Sequence, residues 1–232
     1  METLLLKTEK YVFSLLTKEL GDAYLYHNLS HTQRVVNAVK ELTQGEQVSE
    51  VDTNLLLLAA WFHDTGFIKG SENHEEESVR IATNFLQEYN IDEGIINDVS
   101  RLIRATKMGA EVDGTLEKII KDADCSHFSN KNFSDISDLL REEIIASSEK
   151  AFSDVEWIDE NINFLSKKHH YYTGFAQENW QAGKDKNIAQ LFKSKKKKHL
   201  EARKELAKKE ELSLKKQKAR TPERGVETMF RV

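Results

Sequence analysis

The chain has 232 residues, with 34 Lys and Arg against 39 Asp and Glu, a formal net charge of −5, a single cysteine and a single proline. One cysteine, Cys125, excludes an internal disulfide and a thiolate metal cluster, and it fits a reducing compartment. The lone proline, Pro222, leaves almost the whole chain free to be helical.

In chain order, residues 1–20 read as an amphipathic helix. Glu2, Lys7, Glu9, Lys18 and Glu19 interrupt its apolar residues, so it lacks the uncharged core of a signal peptide. Apolar residues then recur at helical spacing: Leu55, Leu58, Ala59 and Phe62; Ile81, Phe85 and Leu86; Ile95, Val99, Leu102 and Ile103; Leu116, Ile119 and Ile120. Thr53, Asp92 and Thr115 are the expected helix starts, and Gly66, Gly70, Gly109 and Gly114 mark interruptions. The run from Leu55 to Phe62 is apolar all round, which predicts a central buried helix ended by His63 and Asp64.

A long polar helix is expected from about 184 to 218, its Leu200, Leu206, Leu212 and Leu214 too sparse a seam to fold alone. The expectation is therefore an all-α bundle with a long charged C-terminal helix, divided as residues 1–190 and a basic tail at 191–232. Residues 193–220 hold 13 Lys and Arg against 4 Asp and Glu, whereas 1–192 hold 19 against 33. An acidic body disfavours a phosphate-contacting face, so no nucleic-acid partner is expected. No stretch approaches the ~18 uncharged apolar residues that a membrane span needs.

Four pieces carry chemistry: Tyr26-His27-Asn28-Leu29-Ser30-His31, Trp61-Phe62-His63-Asp64-Thr65-Gly66, Asn73-His74-Glu75 and Lys121-Asp122-Ala123-Asp124. Imidazole and carboxylate together suit a borderline or hard divalent cation that keeps positions for water and substrate. His27 and His31, four apart, share one side of a helix if the turn has begun by then. An aspartate after an eight-residue apolar run would be costly to bury unpaired, and a metal relieves that cost. Only one of Asp122 and Asp124 can face the metal, because residues two apart on a helix point in nearly opposite directions. His74 and Glu75 complete a second metal site, bind phosphate or position water; alternatively His74 caps the helix running to about Tyr89. Lys107, after the stripe ending near Thr106, reaches a phosphate or is solvated. His127, His169, His170 and His199 read as structural or solvent-facing.

The ordered set His31, His63-Asp64 and Asp124 resembles the HD superfamily of metal-dependent phosphohydrolases, over about residues 5–190. The resemblance implies His31, His63, Asp64 and Asp124 as metal ligands, and it favours Asp124 over Asp122. It implies an enzyme that hydrolyses a small phosphate ester, a nucleotide or cyclic nucleotide, with a metal-activated water. Mn²⁺, Mg²⁺, Fe²⁺ or Co²⁺ suit such surroundings, and Zn²⁺ is favoured by intrinsic affinity. Ile103-Arg104-Ala105-Thr106-Lys107, Trp157 and Tyr172-Thr173-Gly174-Phe175-Ala176 resemble a bacterial branch of HD phosphohydrolases. Tyr26-His27-Asn28-x-x-His31 is similar to the opening motif of class I cyclic-nucleotide phosphodiesterases, which implies His27 as general acid. The chain departs from those enzymes after His63-Asp64, and Phe67 stands where bacterial deoxynucleotidases carry a glutamate. The paired histidines of the HD-GYP type are absent, which disfavours cyclic dinucleotides.

The segment Thr221 to Val232 resembles the lead from an HD domain into the membrane region of the Pycsar effector family. The single cysteine implies a cytoplasmic protein, and the resemblance implies, if the native chain is longer, one at the cytoplasmic face of the inner membrane with its basic tail touching the surface. The alternative function is then nucleotide sensing without turnover in signalling or antiphage defence. A homo-oligomer stays open.

Overall fold

A computed structural model describes residues 1–147 and 151–220, and every regular element among them is helical. The bundle is organised around α3 (Glu50–Phe62), in which every residue from Leu55 to Phe62 is buried. A run with no polar face must be enclosed. α1 (Glu2–Glu19), α2 (Leu29–Gly45), α4 (His74–Glu88), α5 (Glu93–Ala105) and α6 (Thr115–Asp124) all pack against it. Leu58 is fully buried, and truncating such a side chain to alanine costs about 2–5 kcal/mol.

Local chemistry sets the helix ends. α3 starts one turn earlier than expected, because Ser49 accepts the Asp52 N–H, and Glu50 and Asp52 favour the positive helix end. Thr53 is thus inside the helix. Asp92 caps α5 as expected, accepting the Gly94 N–H, and α6 begins at Thr115 with Gly114 before it. Asn28 caps α2 by accepting the N–H groups of Ser30 and His31, so His27 lies outside the helix and does not share its face with His31. At α4 the residue before the helix is Asn73, held at φ 53°, a region asparagine tolerates. His74 is therefore the first helical residue rather than the cap.

The second half adds α7 (Phe133–Ser147), α8 (Asp154–Asn163), a π-helical turn at Phe164–Lys168, α9 (Gly174–Asn179) and α10 (Gln181–Arg220). A capping box starts α8: Ser153 accepts the Glu156 N–H, and the Glu156 carboxylate accepts the Ser153 N–H. Phe128, Phe133 and Leu165 form a smaller core, with Phe164, Ile188 and Leu191 against it. α10 runs unbroken through residue 190. Its early turns pack on α8 and α9, and Lys195 and Lys198 pair with Asp159 (2.6 Å) and Asp154 (2.7 Å) of α8. Farther on, Leu200, Leu206 and Leu212 are exposed. No helix among the described residues is long and apolar enough to cross a membrane. Thr221 to Val232, which carry the membrane-effector resemblance, lie outside the described residues.

Candidate metal centre

Three helix ends meet at one point. The first turn of α2 supplies His31, the end of α3 supplies His63 and Asp64, and the end of α6 supplies Asp124. Nδ1 of His63 lies 2.9 Å from the Ala60 carbonyl oxygen. A carbonyl can only accept, so that nitrogen carries the hydrogen and Nε2 of the neutral ring is a bare lone pair. Nε2 of His63 and Nε2 of His31 are 3.2 Å apart. Asp64 Oδ2 is 3.1 Å from both nitrogens; Asp124 Oδ1 is 3.1 Å from that of His31 and 3.7 Å from that of His63. His31, His63 and Asp124 offer donor atoms that all lie within 4.8 Å of one another and could hold a metal ion.

The residues fit a divalent metal. Asp64 Oδ2 is buried and has no hydrogen-bond partner, although the Nε2 atoms of His31 and His63 each stand 3.1 Å away. An orphaned buried carboxylate oxygen is costly unless a cation meets it. Two imidazoles with carboxylate oxygens are a donor set for Mn²⁺, Fe²⁺, Co²⁺ or Zn²⁺, and less so for Mg²⁺. Burial pushes the His63 imidazole down, but Asp64 and Asp124 more than reverse this and hold it well above its ordinary range. Burial acts the same way on His31, and Asp124 and Asp64 again raise it. Burial also pushes both carboxylates up, yet the histidines leave Asp64 and Asp124 lowered. Each group thus favours its charged form, as a compact charge cluster does without a cation.

Beside the cluster is a cavity of about 530 Å³, lined at this end by His27, Asp64, Phe67, His74, Glu75 and Asp124. Phe67 lies between two imidazoles, stacked on His27 at 4.2 Å and on His74 at 4.1 Å between ring centres. Gly66 lets α4 come this close: a β-carbon there would collide with the His74 carbonyl oxygen, and the Gly66 N–H donates to Ser78 Oγ at 2.8 Å. His74 Nε2 stands 3.7 Å from Asp64 Oδ1 and 3.6 Å from Glu75 Oε1.

Sequence reasoning missed Glu143. It is buried, hydrogen-bonded to His27 Nδ1, and accepts the backbone N–H groups of Tyr26 at 2.8 Å and His27 at 3.0 Å. Its only sequence signal is its place among Leu140, Ile144 and Ser147 at helical spacing, a carboxylate on a face that lines the cavity.

Asp122 does not join the cluster. Buried on the other side of α6, it accepts the N–H of Tyr172 (3.0 Å) and both the N–H and the hydroxyl of Thr173 (2.8 Å each). Burial leaves its carboxyl raised in spite of those bonds. Lys107 is exposed and is not among the residues lining the cavity, so the structure does not bring it to the site. His127 is a buried cavity residue whose Nδ1 is 3.3 Å from the Tyr26 hydroxyl, and burial pushes it down to about 3. His170 and His199 are exposed.

Fold and site together define an all-α domain built around a buried histidine and aspartate cluster suited to a divalent cation. The HD domain family model matches residues 28–129. The match takes in His31, His63, Asp64 and Asp124; His27 lies just before it, and Glu143 beyond it. HD domains are in general metal-dependent hydrolases. No curated protein and no solved structure matches the chain.

Proposed function

We propose that the protein is a metal-dependent phosphoric ester hydrolase acting on a nucleotide or cyclic nucleotide, with His31, His63, Asp64 and Asp124 as metal ligands. The observation that carries this reading is the pair of imidazole nitrogens 3.2 Å apart, with the orphaned Asp64 oxygen 3.1 Å from each, at the edge of a cavity. When bound there, a divalent ion supplies a water of lowered pKa and neutralises charge on the phosphoryl oxygens.

The chain's own residues do the rest. The Ala60 carbonyl fixes the His63 tautomer that turns Nε2 to the cluster. Glu143 engages Nδ1 of His27, and Phe67 holds the ring flat, so Nε2 is the ring nitrogen left to the cavity. In its doubly protonated form His27 donates Nδ1–H to Glu143 and passes the Nε2 proton to the leaving oxygen. His74 and Glu75, both at the cavity, orient the phosphoryl group or the attacking water. No protein nucleophile is needed.

The test is incubation of the Mn²⁺-loaded full chain with nucleoside monophosphates and cyclic nucleoside monophosphates, following phosphate or opened-ring product. Release that is lost in His63→Ala supports the reading. Tight binding of a nucleotide without release would make the domain a sensor.

A further inference from the structure

The cavity has a second wall that the proposed chemistry does not use. α7 turns Leu140, Glu143, Ile144 and Ser147 to it, and α8 with the π-helical turn presents Trp157, Glu160, Asn161 and Phe164. Each set follows the spacing i, i+3, i+4, i+7, so each is one helix face turned to the same space. Apart from Glu143, these residues lie away from the metal cluster.

Hydrogen bonds take up the polar groups of Trp157 and Asn161 in this wall. The Trp157 indole N–H donates to Ser137 Oγ at 3.0 Å, and the Ser137 hydroxyl donates to Asn161 Oδ1 at 3.0 Å. The Asn161 amide donates to the Trp157 carbonyl at 2.8 Å. Trp157 is thereby fixed, and what it shows to the cavity is carbon. Phe128, Leu140, Ile144, Phe164 and Leu165 continue that surface.

The charge is one-sided. Among the described residues lining the cavity none is lysine or arginine, while Asp64, Glu75, Asp124, Glu143 and Glu160 are acidic. Asp64 and Asp124 belong to the metal cluster, and Glu143 is taken by His27. Glu160 stands exposed at the rim of the apolar wall. Among the described lining residues, a ligand with charge beyond the metal centre would meet carboxylates and no side-chain ammonium or guanidinium. Repulsion of that kind selects against partners as firmly as contacts select for them.

Resting on the hydrolase reading, we propose that the substrate carries its negative charge on a single phosphoryl group at the metal centre. Its leaving group is an uncharged aromatic body lying against Trp157, Phe164 and Leu140. Compounds with further phosphates or carboxylates on that body are disfavoured by Glu160 and by the absence of a basic residue among the described residues of the lining.

Phosphonates separate this proposal from turnover, because their carbon–phosphorus bond is not an ester. Methylphosphonate, benzylphosphonate and 4-carboxybenzylphosphonate are titrated calorimetrically into the Mn²⁺-loaded full chain. Benzylphosphonate should bind at least about tenfold more tightly than methylphosphonate, as expected for removing a ring from water. The 4-carboxy group should abolish most of that gain, and Glu160→Gln should restore part of it. Phe164→Ala should weaken benzylphosphonate while leaving methylphosphonate unchanged; if that variant does not fold, the titrations of the unmutated chain still decide. Equal affinity for the methyl and benzyl compounds, an unimpaired 4-carboxy compound, or no binding of any of the three would overturn the proposal. Selective binding of benzylphosphonate with no hydrolysis of any ester would overturn the hydrolase reading instead.

Discussion

Nδ1 of His27 is hydrogen-bonded to the carboxylate of Glu143, 116 residues farther along the chain. The same carboxylate grips the two backbone N–H groups around that histidine, so one buried residue of α7 sets both the position and the tautomer of the ring. Burial pushes the Glu143 carboxyl up, and the bonds from His27 and Tyr26 more than offset this, leaving it lowered and ionised.

If His27 supplies the leaving-group proton, His27→Ala should lower kcat by about 10²–10⁴ and keep the metal. The defect should shrink with a nitrophenolate leaving group, which needs no proton. Glu143→Gln, which keeps an acceptor but not the charge, should lose less and move the alkaline limb of the pH–rate profile, where the general acid loses its proton. Equal losses for good and poor leaving groups would remove His27 from this role.

Asp122 and Asp124 should part company. Asp124→Ala removes a cluster donor and should abolish metal retention. Asp122→Ala should keep the metal but lower stability by about 2–4 kcal/mol, because the buried Thr173 groups and the Tyr172 N–H lose their acceptor. Elemental analysis and urea unfolding of the two variants check this, and the reverse order would exchange the two roles.

His169 gives a pH prediction. Burial, then the charge of Lys184, whose Nζ is 3.2 Å from its Nδ1, push the imidazole from 6.5 down to about 3. Between those values the unfolded chain takes up a proton that the folded chain refuses, so stability is full above about pH 6.5 and falls as pH falls toward 3. At pH 5 the full shift would cost about 2 kcal/mol, and partial exposure of the ring reduces this to about 1 kcal/mol. Urea midpoints at pH 7 and pH 5 should therefore fall further in the unmutated chain than in His169→Gln. Parallel losses would show that His169 does not contribute.

The basic tail should separate from the chemistry, but not at the 190/191 boundary expected from the sequence. Lys195 and Lys198 are tied to α8, so the cut belongs after residue 200, where the leucines of α10 are exposed. Truncation there should leave metal content and hydrolysis intact and reduce sedimentation with anionic vesicles, at roughly 1 kcal/mol per basic residue near the surface. The binding should fade as salt is raised. If the full chain ignores such vesicles at low salt, the tail has no membrane role.

Much of this fold is legible because the first 124 residues repeat apolar positions at helical period around one unbroken apolar helix, Leu55 to Phe62. Helix starts were less so, since a cap such as Ser49 can lie a turn before the first apolar residue. The candidate metal cluster was legible because each of its residues sits in a short local motif. Glu143 was not, because its role depends on how α7 packs against the Tyr26–His27 turn. Thr173 caps α9 locally, but the tie of Tyr172–Thr173 to Asp122, fifty residues earlier, has no local signal.

The most direct measurement of the central claim is metal content beside hydrolysis, in the purified full chain and in His63→Ala and Asp64→Ala. The account predicts about one or more divalent ions per unmutated chain, with metal and phosphate-ester hydrolysis lost together in both variants. Full metal occupancy in either variant, or undiminished hydrolysis after the metal has gone, would contradict it.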